Sequence, residues 1–505
     1  MSGGSLAVSQ ADRTESTSRI GVWIVPALAL VTSAILRSFQ YLNADVSWDL
    51  MLDDKILGGA KPYRDFIEVN PPATFWLYMP ASWGGRMLGI TPEFLVSFLV
   101  FSATVASIWF SGRILGKARL LREEDLPAAA TAAILVLLAL PFYAFGERDH
   151  IALIAMLPML CVYAARASSG PCSIKQAILA GASAGIAVVI KFYFALALLL
   201  PFLFVLWRQR RDIGRAMRLT LSPENLTVAG IAAVYLAIVF VAYPDFNRTI
   251  LPLVLTVYVP ASAPVVERLM FSCVLLWIAG AGVAVLAARK KIFGPLPMTL
   301  LLASLGYACA SAIQGKDWAY HGYPAVALIV LVSGWLLLQH AREIAKPAAW
   351  TAMLFYSAVL AASATWFAQH DDIKGLRSAV ADLAPPHPKL IAVTDNMQIV
   401  YPLVREVGAN WVGRTASQWI PTFADYIHDH RHPDADATSK IETYVALNRA
   451  WLTEDIRTNR PNVILIDGKR QHASAFSNPA IRAELAHYRN ARTVGDVEIW
   501  LRVPG

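Results

Sequence analysis

Charge is scarce in this sequence. Only 16% of its 505 residues are Asp, Glu, Lys or Arg, against 56% hydrophobic ones. With a mean hydropathy of +0.48, that balance excludes a water-soluble enzyme and leaves a polytopic membrane protein. Cysteine is nearly absent: Cys161, Cys172, Cys273 and Cys309 fall within apolar runs or a basic loop, so no disulfide framework is implied. The chain also lacks a Gly-rich loop of the Walker type, paired Cys/His metal spacing and a Gly-x-Ser-x-Gly elbow. No internal repeat is visible. The net charge of +8 does not point to nucleic acid, because the basic residues sit in short loops between apolar runs, where they act as topology signals.

Apolar runs long enough to approach a bilayer crossing lie near 20–38, 94–112, 127–145, 151–166, 176–191, 193–207, 226–243, 266–288, 297–313, 324–339 and 348–367, about eleven spans. Loops carrying Arg113, Lys117, Arg119 and Arg122, then Arg166 and Lys175, then Arg208 to Arg218, then Arg289 to Lys291, then Arg342 and Lys346 fall on alternate sides, which the positive-inside rule makes cytoplasmic. The Ser-, Thr- and Gly-rich start, 1–19, lacks the features of a signal peptide and reads as a disordered cytoplasmic tail. Residues 20–367 form the transmembrane module. Within it, 73–90, with Trp76, Tyr78 and Trp83, has the character of a helix lying in the interface. From 368 to 505 the composition is that of a small extracytoplasmic α/β domain, with buried strands expected at 389–394 and 462–467 and helices near 396–406, 438–457 and 476–487.

The unusual polar residues all fall on the outward side. After the first span comes an acidic, proline-closed segment from Asp45 through Asp49, Asp53 and Asp54 to Asn70, Pro71 and Pro72. Asp45, Asp49 and Asp53 are spaced by four, so on a helix they share a face, and repulsion raises at least one pKa. A carboxylate so raised is a better base. Glu147, Arg148, Asp149 and His150 join two spans with almost no slack, and Asp149 is a second catalytic or acceptor-binding candidate. Arg148 has the planar fork suited to phosphate. Lys191 is an isolated cation at the outward end of its span, and intramembrane cations are functional candidates by default. Lys316, Trp318, Tyr320 and His321 form a cationic and aromatic cluster suited to an anionic lipid head group with an aromatic floor for a sugar.

The loop Asp45-x-x-Trp48-Asp49, then Gly59-x-Lys61-Pro62-Tyr63-x-Asp65-Phe66-x-Glu68-x-Asn70-Pro71-Pro72, the short loop with Glu147 and Asp149, and the C-terminal soluble domain together resemble the GT-C glycosyltransferases. Within that superfamily the chain is most similar to the bacterial branch related to protein O-mannosyltransferases and the lipid A aminoarabinose transferase. The resemblance covers the first seven spans in layout and the remainder loosely. It implies a GT-C fold of about eleven helices and a polyprenyl-phosphate-linked sugar donor. It also implies a glycan, lipid or protein acceptor and an active site on the periplasmic face of the bacterial inner membrane. Lipopolysaccharide or another envelope polysaccharide is the implied destination.

Carried over residue by residue, the base falls on Asp45, with Asp49 as the competing assignment and Asp149 as a further carboxylate. Tyr63, Asp65, Glu68 and Asn70 support the first loop. Lys191, Arg148 and Lys316 stabilise the departing phosphate, His321 donates to it, and Tyr320 and Trp318 line the sugar. The implied enzyme is a hexosyl- or pentosyltransferase acting with inversion. No cofactor is required by the sequence; a divalent metal is compatible with it, although no ligand spacing demands one. The alternatives are a transporter or flippase of lipid-linked sugars, which would place ionisable groups at the bilayer midplane in repeated halves, and an O-antigen polymerase or ligase.

Overall fold

The computed structural model describes residues 21–288, 294–340 and 345–504; the tail at 1–19 and the loop residues Arg289, Lys290, Lys291 and Arg342 lie outside the described residues. The chain forms two compact units. One comprises residues up to 40, 98–233 and 265–368, and the other 41–97, 234–264 and 369–505.

The first unit is helical. Arg148–Ala167, Pro295–Gln314, Ala319–His340 and Lys346–Phe367 are long and apolar enough to cross a membrane. So are Pro92–Lys117 and the stretch Ile213–Ala242, which run on into the second unit, giving six such helices among the described residues. Ile24–Ser38, Ile174–Ile190, Phe192–Arg208 and Ser272–Ala288 are apolar but shorter. The run expected at 127–145 is divided, with helix over Leu126–Ile134, a π-helical turn over Leu135–Ala139 and a 3₁₀ turn over Phe142–Ala144. The apolar runs are thus largely helical, making a multi-pass membrane protein, and six helices among the described residues are both long and apolar enough to cross.

Hydrogen bonds fix which ends lie together. The Arg166 guanidinium donates to both oxygens of Glu224, at 2.8 and 3.1 Å, and the Gln209 amide donates to the Arg166 carbonyl at 3.1 Å. The end of Arg148–Ala167, the end of Ala195–Arg208 and the start of Pro223–Ala242 therefore share the basic side. Ile174–Ile190 and Ala195–Arg208 consequently form an antiparallel pair that turns at Lys191 on the opposite side. Small residues let these helices approach closely, as is usual where lipid supplies no hydrophobic drive. A Cβ at Gly306 would lie 2.5 Å from the Leu196 carbonyl oxygen, and one at Gly181 2.4 Å from that of Glu224.

The second unit carries the sheet. Its strands are β1 (Lys389–Val393), β2 (Asn410–Trp411), β3 (Val463–Asp467), β4 (Tyr488–Val494) and β5 (Val497–Arg502), in the order β2-β1-β3-β5-β4. β1 is parallel to β2 and β3, while β5 is antiparallel to β3 and β4. The two expected strands are the central parallel pair, joined by Trp419–Arg431 and Ala435–Asn459, since a parallel connection needs a crossover. The β4–β5 hairpin, β2 and the helix Trp419–Arg431 were not foreseen from sequence.

The same unit holds the acidic segment. Ala44–Leu57 is a helix with Ala44 and every residue from Val46 to Asp53 buried. Ala73–Leu88, the expected interfacial helix, buries Phe75 and Tyr78 and exposes Trp83, Met87 and Leu88. Trp48 packs on Tyr401 at 5.4 Å between ring centroids, and the Ile67 amide donates to the Arg414 carbonyl at 2.8 Å. Asp53 is wholly buried, with no hydrogen bond of normal geometry to either oxygen among the described residues. Burial foremost, then the charges of Asp49 and Asp54, push its carboxyl up to about 9, against the opposing pull of Arg405 and Ser82.

Two stability predictions follow from this packing. Gly306→Val is expected to lower the melting midpoint in detergent by several degrees, because overpacking costs about 1–3 kcal/mol. Gly282→Ala, in open space, should leave it within about a degree. Equal midpoints for both variants would show that the helices yield at this crossing. For Asp53, the folded carboxyl keeps its proton up to about pH 9, whereas an unfolded Asp loses it near pH 4. The folded state therefore binds more protons across that window, and stability falls as pH rises through it. Asp53→Asn should melt above wild type at pH 8.5, with the gap closing toward pH 4; a gap independent of pH would mean that Asp53 is ionised in the fold.

Candidate functional site

In the first unit the outward helix ends meet at Lys191. The helix Ile174–Ile190 stops there because Lys191 is extended (φ −146°, ψ 115°), and a 3₁₀ turn over Phe192–Phe194 leads into the next helix. Its ammonium lies 2.6 Å from Asp149 Oδ2 and 3.4 Å from Gln314 Oε1, and 5.4 Å from the centroid of the Tyr320 ring. Asp149 is fully buried in the first turn of Arg148–Ala167, where the helix dipole favours a negative charge. Two of the three ammonium donors face protein oxygens, which leaves one for a ligand.

The neighbouring loop extends the cluster. Gly315, in the left-handed region at φ +67°, ends Pro295–Gln314 and turns the chain into Lys316. Burial, then the charge of Arg268, lowers the Lys316 ammonium to about 8. Tyr320 meets His321 edge-on at 4.5 Å, and Trp318 lies 5.8 Å from Tyr320 and 5.2 Å from His321. His321 is buried, with Nδ1 lacking a hydrogen-bond partner among the described residues. The structure thus brings together Asp149, Lys191, Tyr320, His321 and Trp318. Arg148 is buried next to Asp149, and Lys316 two residues beyond Gln314.

Glu147 and His150 have local tasks. Glu147 caps its helix, accepting from the Arg148 amide, while His150 Nδ1 accepts from the Gly146 amide at 3.0 Å and Nε2 donates to the Leu137 carbonyl at 2.7 Å. Three residues at this end escaped the sequence reading. Gln314 is an ordinary polar residue at a helix end, and Tyr307 has a buried hydroxyl without a partner among the described residues. Arg37, nearly buried, stacks over Phe145 at 4.6 Å. Only Arg37, a cation closing an apolar run, carried a usable signal.

In the second unit the first loop is held by its own side chains. Asn43 caps Ala44–Leu57 by accepting from the Asp45 amide at 2.7 Å. Glu68 accepts from Trp48 Nε1 at 2.6 Å through one oxygen, and from the Asn70 amide at 2.8 Å and side chain at 2.5 Å through the other. The Tyr63 hydroxyl donates to the Asn70 carbonyl at 2.8 Å, and Asp65 accepts from the Lys61 amide at 2.7 Å. Tyr63 itself adopts φ +66°, a conformation that this network holds in place. The three aspartates spaced by four do lie on one helix, in different surroundings. Asp45 is half-buried, Asp49 is buried and accepts from the Thr74 hydroxyl at 3.0 Å, and Asp53 is enclosed and protonated. The carboxyl that burial raises is that of Asp53.

Among the described residues, no group of three or more His, Cys, Asp or Glu side chains is arranged to hold a metal ion.

No family model and no curated protein matches the chain by sequence. Solved structures do match. ArnT from Cupriavidus metallidurans bound to undecaprenyl phosphate superposes with a TM-score of 0.55 at 15% identity, over 96% of this chain and 98% of that one. The same protein in the apo state gives 0.53 at 14% identity, over 97% and 98%. Over nearly its whole length, this chain has the fold of ArnT.

Proposed function

We propose that the protein is a membrane glycosyltransferase that moves a sugar from a polyprenyl-phosphate donor to a hydroxyl of an envelope acceptor, on the periplasmic face of a bacterial inner membrane. The observation that carries the reading is the shielded ammonium of Lys191, held by Asp149 and Gln314 over Tyr320. A fixed cation beside an aromatic ring, at the outward end of apolar helices, suits a lipid phosphate bearing a sugar. The likeness in fold to a protein that binds undecaprenyl phosphate supports the same class of donor.

In the proposed reaction the acceptor oxygen attacks the anomeric carbon as the bond from that carbon to the phosphate oxygen breaks. Asp45 takes the hydroxyl proton, and the bonding pair leaves on the polyprenyl phosphate, whose charge Lys191 meets with help from Arg148, Lys316 and His321. A single displacement inverts the anomeric centre and needs no covalent intermediate. Asp45 is preferred to Asp49 because Asp49 is buried and already accepts the Thr74 hydroxyl, whereas Asp45 keeps contact with solvent. Asp149 serves as the positioning partner of Lys191.

The test is transfer from radiolabelled polyprenyl-phosphate sugars by the reconstituted protein. Asp45→Asn is expected to lower kcat by about 10²-fold or more with donor binding retained, as for loss of a general base. Lys191→Met should weaken donor binding as well. Wild-type protein that consumes no donor yet moves labelled lipid between leaflets would replace this reading with that of a transporter.

A further inference from the structure

The second unit contains a cleft of about 1080 Å³ between the far end of the helix Ala44–Leu57 and the C-terminal domain. It exceeds the ~300–1,000 Å³ of pockets that enclose a single drug-sized ligand, so its size suits a chain of rings. Five carboxylates line it: Asp54, Asp65, Glu93, Glu454 and Asp455. Two guanidiniums are each shared between two of them. Arg405 pairs with Asp54 at 2.9 Å and with Glu93. Arg414 pairs with Glu454 at 2.6 Å and with Asp455 at 2.9 Å. Lys55, whose ammonium burial lowers to about 8 against the pull of Asp455 and Asp65, donates to the Gly413 carbonyl at 3.4 Å.

This arrangement selects by charge. A phosphate or carboxylate ligand would have to draw a guanidinium away from two carboxylates and enter a lining of net negative charge, at high desolvation cost. A polyol faces no such cost, because carboxylates that share one guanidinium keep lone pairs for hydroxyl donors. Trp411, on the cleft wall, adds an indole N–H that is buried and has no acceptor among the described residues. We propose that this cleft binds an uncharged saccharide chain. As the resting place of the acceptor the cleft depends on the glycosyltransferase reading; as a saccharide site it stands on binding alone.

The experiment is binding of the fluorescently labelled full-length protein, in detergent, to an array of immobilised neutral, sulfated and phosphorylated oligosaccharides. Wild type should bind neutral oligosaccharides. Thr458→Trp, which fills the cleft from an exposed wall position, and Glu454→Gln, which frees no buried charge, should each weaken that binding at least tenfold, with melting midpoints unchanged. Asp45→Asn should bind as wild type does, so loss of transfer and loss of glycan binding are read separately. No neutral oligosaccharide bound, a preference for sulfated or phosphorylated ones, or undiminished binding by both cleft variants would overturn the proposal. A protein that binds neutral glycans through the cleft yet transfers no sugar would keep the site and sink only the enzymatic reading.

Discussion

The pairing of Lys191 with Asp149 organises the outward end of the first unit. Taking an ammonium and a carboxylate out of water costs several kcal/mol each, and their attraction offsets this only if the geometry is good and remaining polar groups are satisfied. Here the contact is 2.6 Å, the carboxylate sits in the first turn of a helix, and Gln314 and the face of Tyr320 lie beside the ammonium. The chain places that charge at the turn between two antiparallel helices, where Lys191 leaves the helical region. Removing either partner would strand the other in a site already closed to solvent. That is why three separate helix ends are held to one point.

In the second unit the corresponding hub is Glu68. One carboxylate accepts from Trp48 on the first-loop helix and twice from Asn70, just before the two prolines that start the next helix. The loop is thereby fixed at its beginning and its end by a group that is itself buried. Tyr63 can hold a positive φ because its hydroxyl is anchored on Asn70 and its ring is packed by Phe75 and Phe246.

The parts legible in the sequence were those where one physical signal dominates. Apolar runs gave the helices, and the runs around Leu390 and Ile464 gave the central strands, because a strand buried on both faces is a continuous apolar stretch. β4 was invisible for the opposite reason, since Arg489 to Thr493 are exposed and the strand has no apolar face to betray it. The helix Trp419–Arg431 was hidden by Pro421, a residue that breaks a helix in its interior but is tolerated in a first turn. In the site, charge in an apolar setting marked Lys191 and Asp149, but nothing in the sequence could show that they touch. Gln314 was unmarked because a neutral amide at a helix end has no unusual cost.

The three aspartates show how little spacing alone decides. One interval of four places them on a single helix, and repulsion was expected to raise one of them. Which one is raised follows from burial, not from spacing. At Asp53 burial dominates, ahead of the charges of Asp49 and Asp54, and holds the carboxyl in its protonated form. Asp49 is then held by Thr74 as a hydrogen-bonded structural group. Asp45 stands at the capped start of the helix and is partly open to solvent. A pattern of three equally spaced carboxylates thus resolves, along one helix, into a neutral anchor, an acceptor of a structural hydrogen bond and a half-buried residue at the helix cap.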